Sequence, residues 1–170
     1  VLFSAASHTN LELVKILIEH GADPRLKNKY EQSSLANVKI KEIAELLIKN
    51  GADVNAQKKI KRINSFSSTF PSNVSFRGEI IYGNTPLFNA ISRENIDIVK
   101  LLLKNGAKVN TKNENYNTSL FNAVSKNNIE IVKLLIQYGA KVNGNNGDGK
   151  SILFYANDQE IAQILIDNIA

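Results

Sequence analysis

Gly83-Asn84-Thr85-Pro86-Leu87-Phe88-Asn89-Ala90, then Ile96-Asp97-Ile98-Val99-Lys100-Leu101-Leu102-Leu103, then Asn105-Gly106-Ala107-Lys108-Val109-Asn110: these three segments decide how the chain is read. Thr85 is placed to cap a helix by accepting from a first-turn N–H, and Pro86 suits the first helical position, where no N–H is needed. Leu87, Ala90 and Ile91 share one helical face at spacings of three and four. Arg93-Glu94-Asn95 interrupts the pattern. A second helix follows, with Ile98, Leu101 and Leu102 as its apolar stripe and Lys100 and Lys104 facing out. Gly106 is placed to end it in the left-handed conformation.

The pattern repeats. Leu87, Leu120 and Leu153 are spaced 33 residues apart, as are Phe88, Phe121 and Phe154, and Gly106 and Gly139. The next copy reads Thr118-Ser119-Leu120-Phe121-Asn122-Ala123, Ile131-Val132-Lys133-Leu134-Leu135-Ile136 and Gly139-Ala140-Lys141-Val142-Asn143. Earlier copies carry Leu2-Phe3-Ser4-Ala5-Ala6 with Gly21-Ala22-Asp23, and Ser33-Ser34-Leu35 with Gly51-Ala52-Asp53-Val54-Asn55. A last copy has Ser151-Ile152-Leu153-Phe154-Tyr155-Ala156 and Ile161-Ala162-Gln163-Ile164-Leu165-Ile166. These segments resemble the ankyrin repeat, with its T-P-L-H-x-A segment, I-V-x-L-L-L helix and G-A-D-V-N end. The resemblance implies an all-α solenoid of stacked helix-turn-helix units joined by turn or hairpin connectors. It covers about five repeats, the first N-terminally incomplete: 1–27, 28–57, 80–112, 113–145 and 146–170, in one domain over 1–170.

Where the family pattern has His, four copies carry Phe3, Phe88, Phe121 and Phe154. The side-chain hydrogen bond of that His is lost, and core packing near the helix start is expected instead. The second and fifth copies run three residues short: Leu35 to Leu46 and Leu153 to Ile164 are eleven positions, against fourteen from Leu87 to Leu101. A clipped first helix or a tighter turn is expected in both. Ile169 stands where the last copy would have its terminating Gly.

Gly51 and Gly106 lie 55 residues apart, one period plus 22. The excess falls at about 58–79, opening with Lys58-Lys59-Ile60-Lys61-Arg62 and carrying Phe66, Phe70 and Phe76. Three readings stand for it: a disordered excursion, an ordered hairpin or loop used in recognition, and a basic phosphate-binding segment. Long closure loops cost little entropy, and unstructured loops of this length are functional or disordered.

Gly144 to Ser151 spells G-x-x-x-x-G-K-S, the phosphate-cradling P-loop pattern. A P-loop follows a buried strand and opens a helix of an α/β sheet. This stretch instead follows the turn-rich end of a helical repeat. In register Gly149 falls where Gly83 falls, and Ser151 where Thr85 does, so a connector turn and a helix cap are expected rather than a nucleotide site. Glu12, Asp97 and Glu130 recur in register ahead of each second helix's stripe, which reads as N-terminal charge placement.

The 170 residues carry 43% hydrophobic and 22% charged side chains, those of a folded soluble protein, and no run approaches the ~18 apolar residues of a membrane span. No cysteine is present, so disulfides and thiolate metal sites are excluded, and two histidines leave little for other metal chemistry. The net charge of +5 is mostly lysine spread over repeat helices, a solvated face rather than a nucleic-acid footprint. The chain has no Met and enters at Val1 partway through the pattern, as a stretch of a longer protein would.

No cofactor and no catalytic group are expected. The resemblance implies non-catalytic recognition of a protein partner, whose identity the sequence leaves open, by a monomeric intracellular module in the cytoplasm or nucleus. Connector tips and first helices would line a concave binding face. Register puts Lys29, Tyr30, Tyr82, Asn84, Glu114, Asn115 and Asn117 on the tips, and Ser92, Arg93, Ser125 and Lys126 along the first helices. Tyr30 and Tyr82 are the expected anchors, because aromatics dominate interface energetics. Phe66, Phe70 and Phe76 are candidates in the insertion. Two alternatives remain: a targeting or regulatory module of an enzyme whose catalytic domain lies elsewhere, and weak nucleic-acid binding through the basic start of the insertion.

Overall fold

The computed structural model describes residues 1–62 and 79–169. Among these residues eight α-helices and one 3₁₀ turn lie in two rows. The first-helix row comprises α1 (Leu2–Ser7), α4 (Pro86–Ser92), α6 (Ser119–Ser125) and the 3₁₀ turn Ile152–Tyr155. The second-helix row comprises α2 (Leu11–Glu19), α3 (Lys41–Lys49), α5 (Ile96–Lys104), α7 (Ile129–Gln137) and α8 (Gln159–Asp167). α1, α4 and α6 pack on their mates α2, α5 and α7, and neighbouring repeats stack α4 on α6, α6 on the 3₁₀ turn, and α2 through α8 in sequence along the second row. Every repeat therefore buries its apolar face against a neighbour, as the stacked helix-turn-helix architecture requires.

Helix starts follow the local chemistry. Thr85 accepts from Phe88 N and Pro86 opens α4. Asn10, Asn95, Asn128 and Asp158 cap α2, α5, α7 and α8 through their side chains. The residue before each of those Asn caps, Thr9, Glu94 or Asn127, has φ between +54° and +60°, turning the chain from first helix to second. At the far end of α5, Gly106 has φ +83°, and Ala107 N donates to Leu102 O at 3.0 Å, closing the helix.

Leu87, Ala90 and Ile91 are buried together, as expected. In α5 the buried set is Ile98, Val99, Leu102 and Leu103, while Leu101 is only half-buried. The expected stripe leaves out Val99 and Leu103 and includes the half-buried Leu101, because α5 packs on both α4 and its second-helix neighbours and so buries a wider arc.

The three-residue deletions act on the first helix. In the second repeat residues 34–37 form only turns, and in the fifth the helix contracts to the 3₁₀ turn. That tighter winding buries Ile152 and leaves the anchor Leu153 half-buried. It also corrects the expected packing of the phenylalanines. Phe121 is buried and Phe3 and Phe88 are half-buried, but Phe154 is 63% exposed, edge-on to Tyr155 with Lys150 Nζ over its ring.

Between the second and third repeats the connector is drawn out into an antiparallel pair, β1 (Lys59–Arg62) with β2 (Glu79–Tyr82), in register Lys59↔Tyr82 through Arg62↔Glu79. The base of the insertion is thus an ordered hairpin stem. Phe66, Phe70 and Phe76 lie outside the described residues.

Candidate functional site

Three connector tips share one device. Asn28, Asn113 and Asn146 each accept two backbone N–H groups with the side-chain oxygen: Tyr30 and Gln32, Asn115 and Asn117, Asp148 and Lys150. An Asn side chain that reaches its own backbone two residues on mimics a turn. In the third repeat the matching position is Ile80, which cannot do this, and the β1–β2 stem stands in its place.

Adjacent tips are bonded to one another. Gly147 N donates to Asn115 O at 3.1 Å, and a Cβ on Gly147 would stand 2.9 Å from that same oxygen. Asn113 Nδ2 donates to Asn84 Oδ1 at 2.9 Å. One step behind the tips, Asn55 and Asn110 each donate to the carbonyl of the next repeat's glycine, Gly106 or Gly139. Each also accepts from Lys108 N or Lys141 N. Along the first helices, Asn89 Nδ2 donates to Ala36 O and Asn122 Nδ2 to Phe88 O and Ser92 Oγ. From the second repeat to the fifth, polar rungs therefore fix the tips and first helices in position.

Between the third, fourth and fifth repeats this scaffold leaves a groove of about 380 Å³. Its lining includes the aromatic rings of Phe88, Tyr116, Phe121 and Tyr155, the carboxylates of Glu114 and Asp148, and several asparagine amides. Phe121 and Tyr155 meet edge to face at 5.9 Å, and Asn146 Nδ2 donates to Tyr155 Oη at 2.8 Å. A smaller cavity of about 240 Å³ adjoins the hairpin stem, lined by Ser33, Lys58, Ile60, Gly83 and Asn84 among others; Glu114 borders both.

Of the residues nominated from sequence, Glu114, Asn115, Asn117 and Ser125 line the groove and Asn84 the smaller cavity. Lys29, Tyr30, Tyr82, Ser92, Arg93 and Lys126 line neither. Tyr30 is 57% and Tyr82 47% exposed, and Lys29 Nζ stands 5.0 Å from the Tyr30 ring centre. Arg93 donates to Asn37 Oδ1 of the second repeat and to Asn89 O, and Ser92 Oγ accepts from Asn122 Nδ2 of the fourth, so both tie repeats together. Sequence reasoning missed Phe88, Tyr116, Phe121, Asn122, Asn146 and Tyr155. The 33-residue register held the signal, since it carries Glu114 and Asn115 to Gly147 and Asp148 on the next tip.

The G-x-x-x-x-G-K-S stretch forms that next tip. Asn146 N donates to Lys150 O, Gly147 N to Asn115 O, Gly149 N to Asn146 O, and Asp148 N and Lys150 N to Asn146 Oδ1. All five N–H groups that would cradle a phosphate are engaged within the protein. Gly149 is in the expected turn, but Ser151 makes no side-chain cap bond; the 3₁₀ turn is closed by Phe154 N donating to Ser151 O. The two histidine rings each lie 2.8 Å from a carbonyl of their own helix, His8 at Ser4 and His20 at Ile16. Glu12, Asp97 and Glu130 sit in first turns as expected. Among the described residues no helix is long and apolar enough to cross a membrane.

The family model for ankyrin repeats (three copies) matches residues 2–113 and 87–170. The chain belongs to the ankyrin repeat family, whose members are generally non-catalytic protein-interaction modules. It is similar to an ankyrin repeat protein of Fowlpox virus (strain NVSL), 28% identical over 117 residues, or 66% of this chain. The chain spans 12% of that relative's length.

Proposed function

We propose that this chain is a non-catalytic recognition module that binds a protein partner along the face made by its connector tips and first helices. The groove at Glu114, Asn115, Asn117, Ser125 and Tyr155 is the centre of that face. The observation that supports this reading most is the groove itself: a concavity with aromatic and polar walls, bounded by tips that are hydrogen-bonded to each other. A preformed site of this kind loses little order on binding. Tyr30, Tyr82, Lys29, Asn84, Ser92, Arg93 and Lys126 form the outer part of the face, and the insertion with Phe66, Phe70 and Phe76 in its sequence is a second contact.

Affinity capture tests it with three forms of the chain beside the wild type. Asn115→Arg/Ser125→Arg fills the groove at two exposed positions. Tyr30→Ala/Tyr82→Ala/Arg93→Ala strips the outer face. Replacing 63–78 by Asn-Gly closes the stem with a two-residue turn. A partner recovered by the wild type and lost on the groove variant is the expected result. Equal recovery of every partner by all four forms would sink the reading.

A further inference from the structure

The groove is acidic in a basic protein. Among the described residues its lining carries two carboxylates, Glu114 and Asp148, and no Lys or Arg, although the chain's net charge is +5. Lys150, next to Asp148 in sequence, holds its ammonium 4.3 Å from the centre of the Phe154 ring, which does not line the groove. The hydrogen-bonding balance leans the same way. The tip amides and two side-chain amides are engaged: Asn115 N and Asn117 N to Asn113 Oδ1, Asp148 N to Asn146 Oδ1, Gly147 N to Asn115 O, Asn122 Nδ2 to Ser92 Oγ, and Asn146 Nδ2 to Tyr155 Oη. Two acceptors are not. Glu114 Oε2 and Asn117 Oδ1 are closed off from water and receive no hydrogen bond.

Buried acceptors without donors are costly and uncommon in folded proteins. Two carboxylates with spare acceptors beside them, and tip amides already engaged, suit a cationic ligand that donates. Resting on the reading above, we propose that the groove receives one arginine side chain from an extended segment of the partner protein. The guanidinium offers five donors in a planar fork and no acceptor, so one group can serve Glu114, Asn117 and Asp148 together. Its flat face stacks on aromatic surface, which Phe88, Phe121 and Tyr155 supply. The terminal torsions of Glu and Asn are soft, so both orphan oxygens can turn toward an entering donor. Lysine, a compact point charge, matches the carboxylates but not the rings or the spread of acceptors.

Amide NMR of the whole chain, titrated with the blocked tripeptide acetyl-Gly-Arg-Gly-amide, tests this directly. Saturable shifts centred on Asn115, Gly147 and Asp148 are expected. The isosteric, uncharged citrulline peptide and the lysine peptide should each bind about tenfold more weakly, the size of one charge-assisted contact. Glu114→Gln with Asp148→Asn should weaken the arginine peptide by a similar factor while leaving distant resonances in place. Absence of saturable shifts, or equal binding of the citrulline or lysine peptide, would overturn the proposal even if the double variant failed to fold. Those results would leave protein recognition standing, because the capture experiment judges it separately through Asn115, Ser125 and the outer face.

Discussion

At Gly147 a single hydrogen atom decides whether two tips can meet. A methyl group there would approach Asn115 O to 2.9 Å, whereas one on Gly144 would meet nothing within 4 Å. Gly147→Ala should therefore cost about 1–3 kcal/mol, a packing clash against backbone. Gly144→Ala should be neutral or stabilising by about 0.4–1 kcal/mol, through the unfolded chain. Urea unfolding checks both, and the order is the reverse of a phosphate loop, whose first glycine is essential. The two capping threonines differ in the same local way. Thr85 Oγ1 accepts from Phe88 N, but Thr118 Oγ1 is buried without a partner, in a repeat where Phe121 stands in place of the family's His. Thr85→Ala should lose about 1 kcal/mol. Thr118→Val should lose nothing, and gain up to about 1 kcal/mol by removing an orphan polar group. If thermal unfolding ranks the two threonines equally, this account of the caps is wrong.

Between elements, polar rungs supplement the apolar packing. Asn110 makes two of them, donating to Gly139 O at 2.9 Å and accepting from Lys141 N at 2.8 Å. Asn110→Ala should destabilise by about 1–2 kcal/mol, two ordinary hydrogen bonds partly replaced by water. Faster hydrogen exchange at Ala140 and Lys141 than in α5 would confirm that the loss falls at the seam. Charge rungs run along the second helices, Lys100 to Glu130 at 2.8 Å and Lys133 to Glu160 at 2.7 Å. The Glu130 carboxylate raises the Lys100 ammonium above its ordinary value, so on the alkaline side this rung is present below that value and lost as pH rises through the raised one. The acid side is governed differently. Hydrogen bonds from the Arg25 guanidinium hold the Asp23 carboxyl below its ordinary 3.8. That contribution is present above 3.8 and lost as pH falls through the lowered value. Arg25→Gln should accordingly flatten the fall of stability with acid below that point in a pH series of unfolding curves, with little change at neutral pH. Both sites are solvent-facing, so added salt should shrink either effect.

Across the whole molecule, the one-dimensional stack explains how much could be read in advance. The cap at Thr85, the closure at Gly106, the face of Leu87, Ala90 and Ile91, and the clipped helices of the second and fifth repeats are local or nearest-neighbour events, and a 33-residue register exposes them. A third of the groove lining was legible in the same way, because Glu114, Asn115, Asn117 and Ser125 take their places from their own repeat. The remainder was not. Phe88 and Phe121 read as core residues in one dimension. Whether such a ring is covered or left beside a groove depends on the spacing of neighbouring tips, and that spacing is set by bonds such as Gly147 N to Asn115 O, between residues 32 apart. Sequence alone therefore determined the family, the repeat register and the demotion of G-x-x-x-x-G-K-S to a turn, since each depends on propensity and period. Only the tertiary structure decided where the concavity lies, which donors are already engaged and which acceptors wait unpaired, because those follow from how separate repeats approach one another in space.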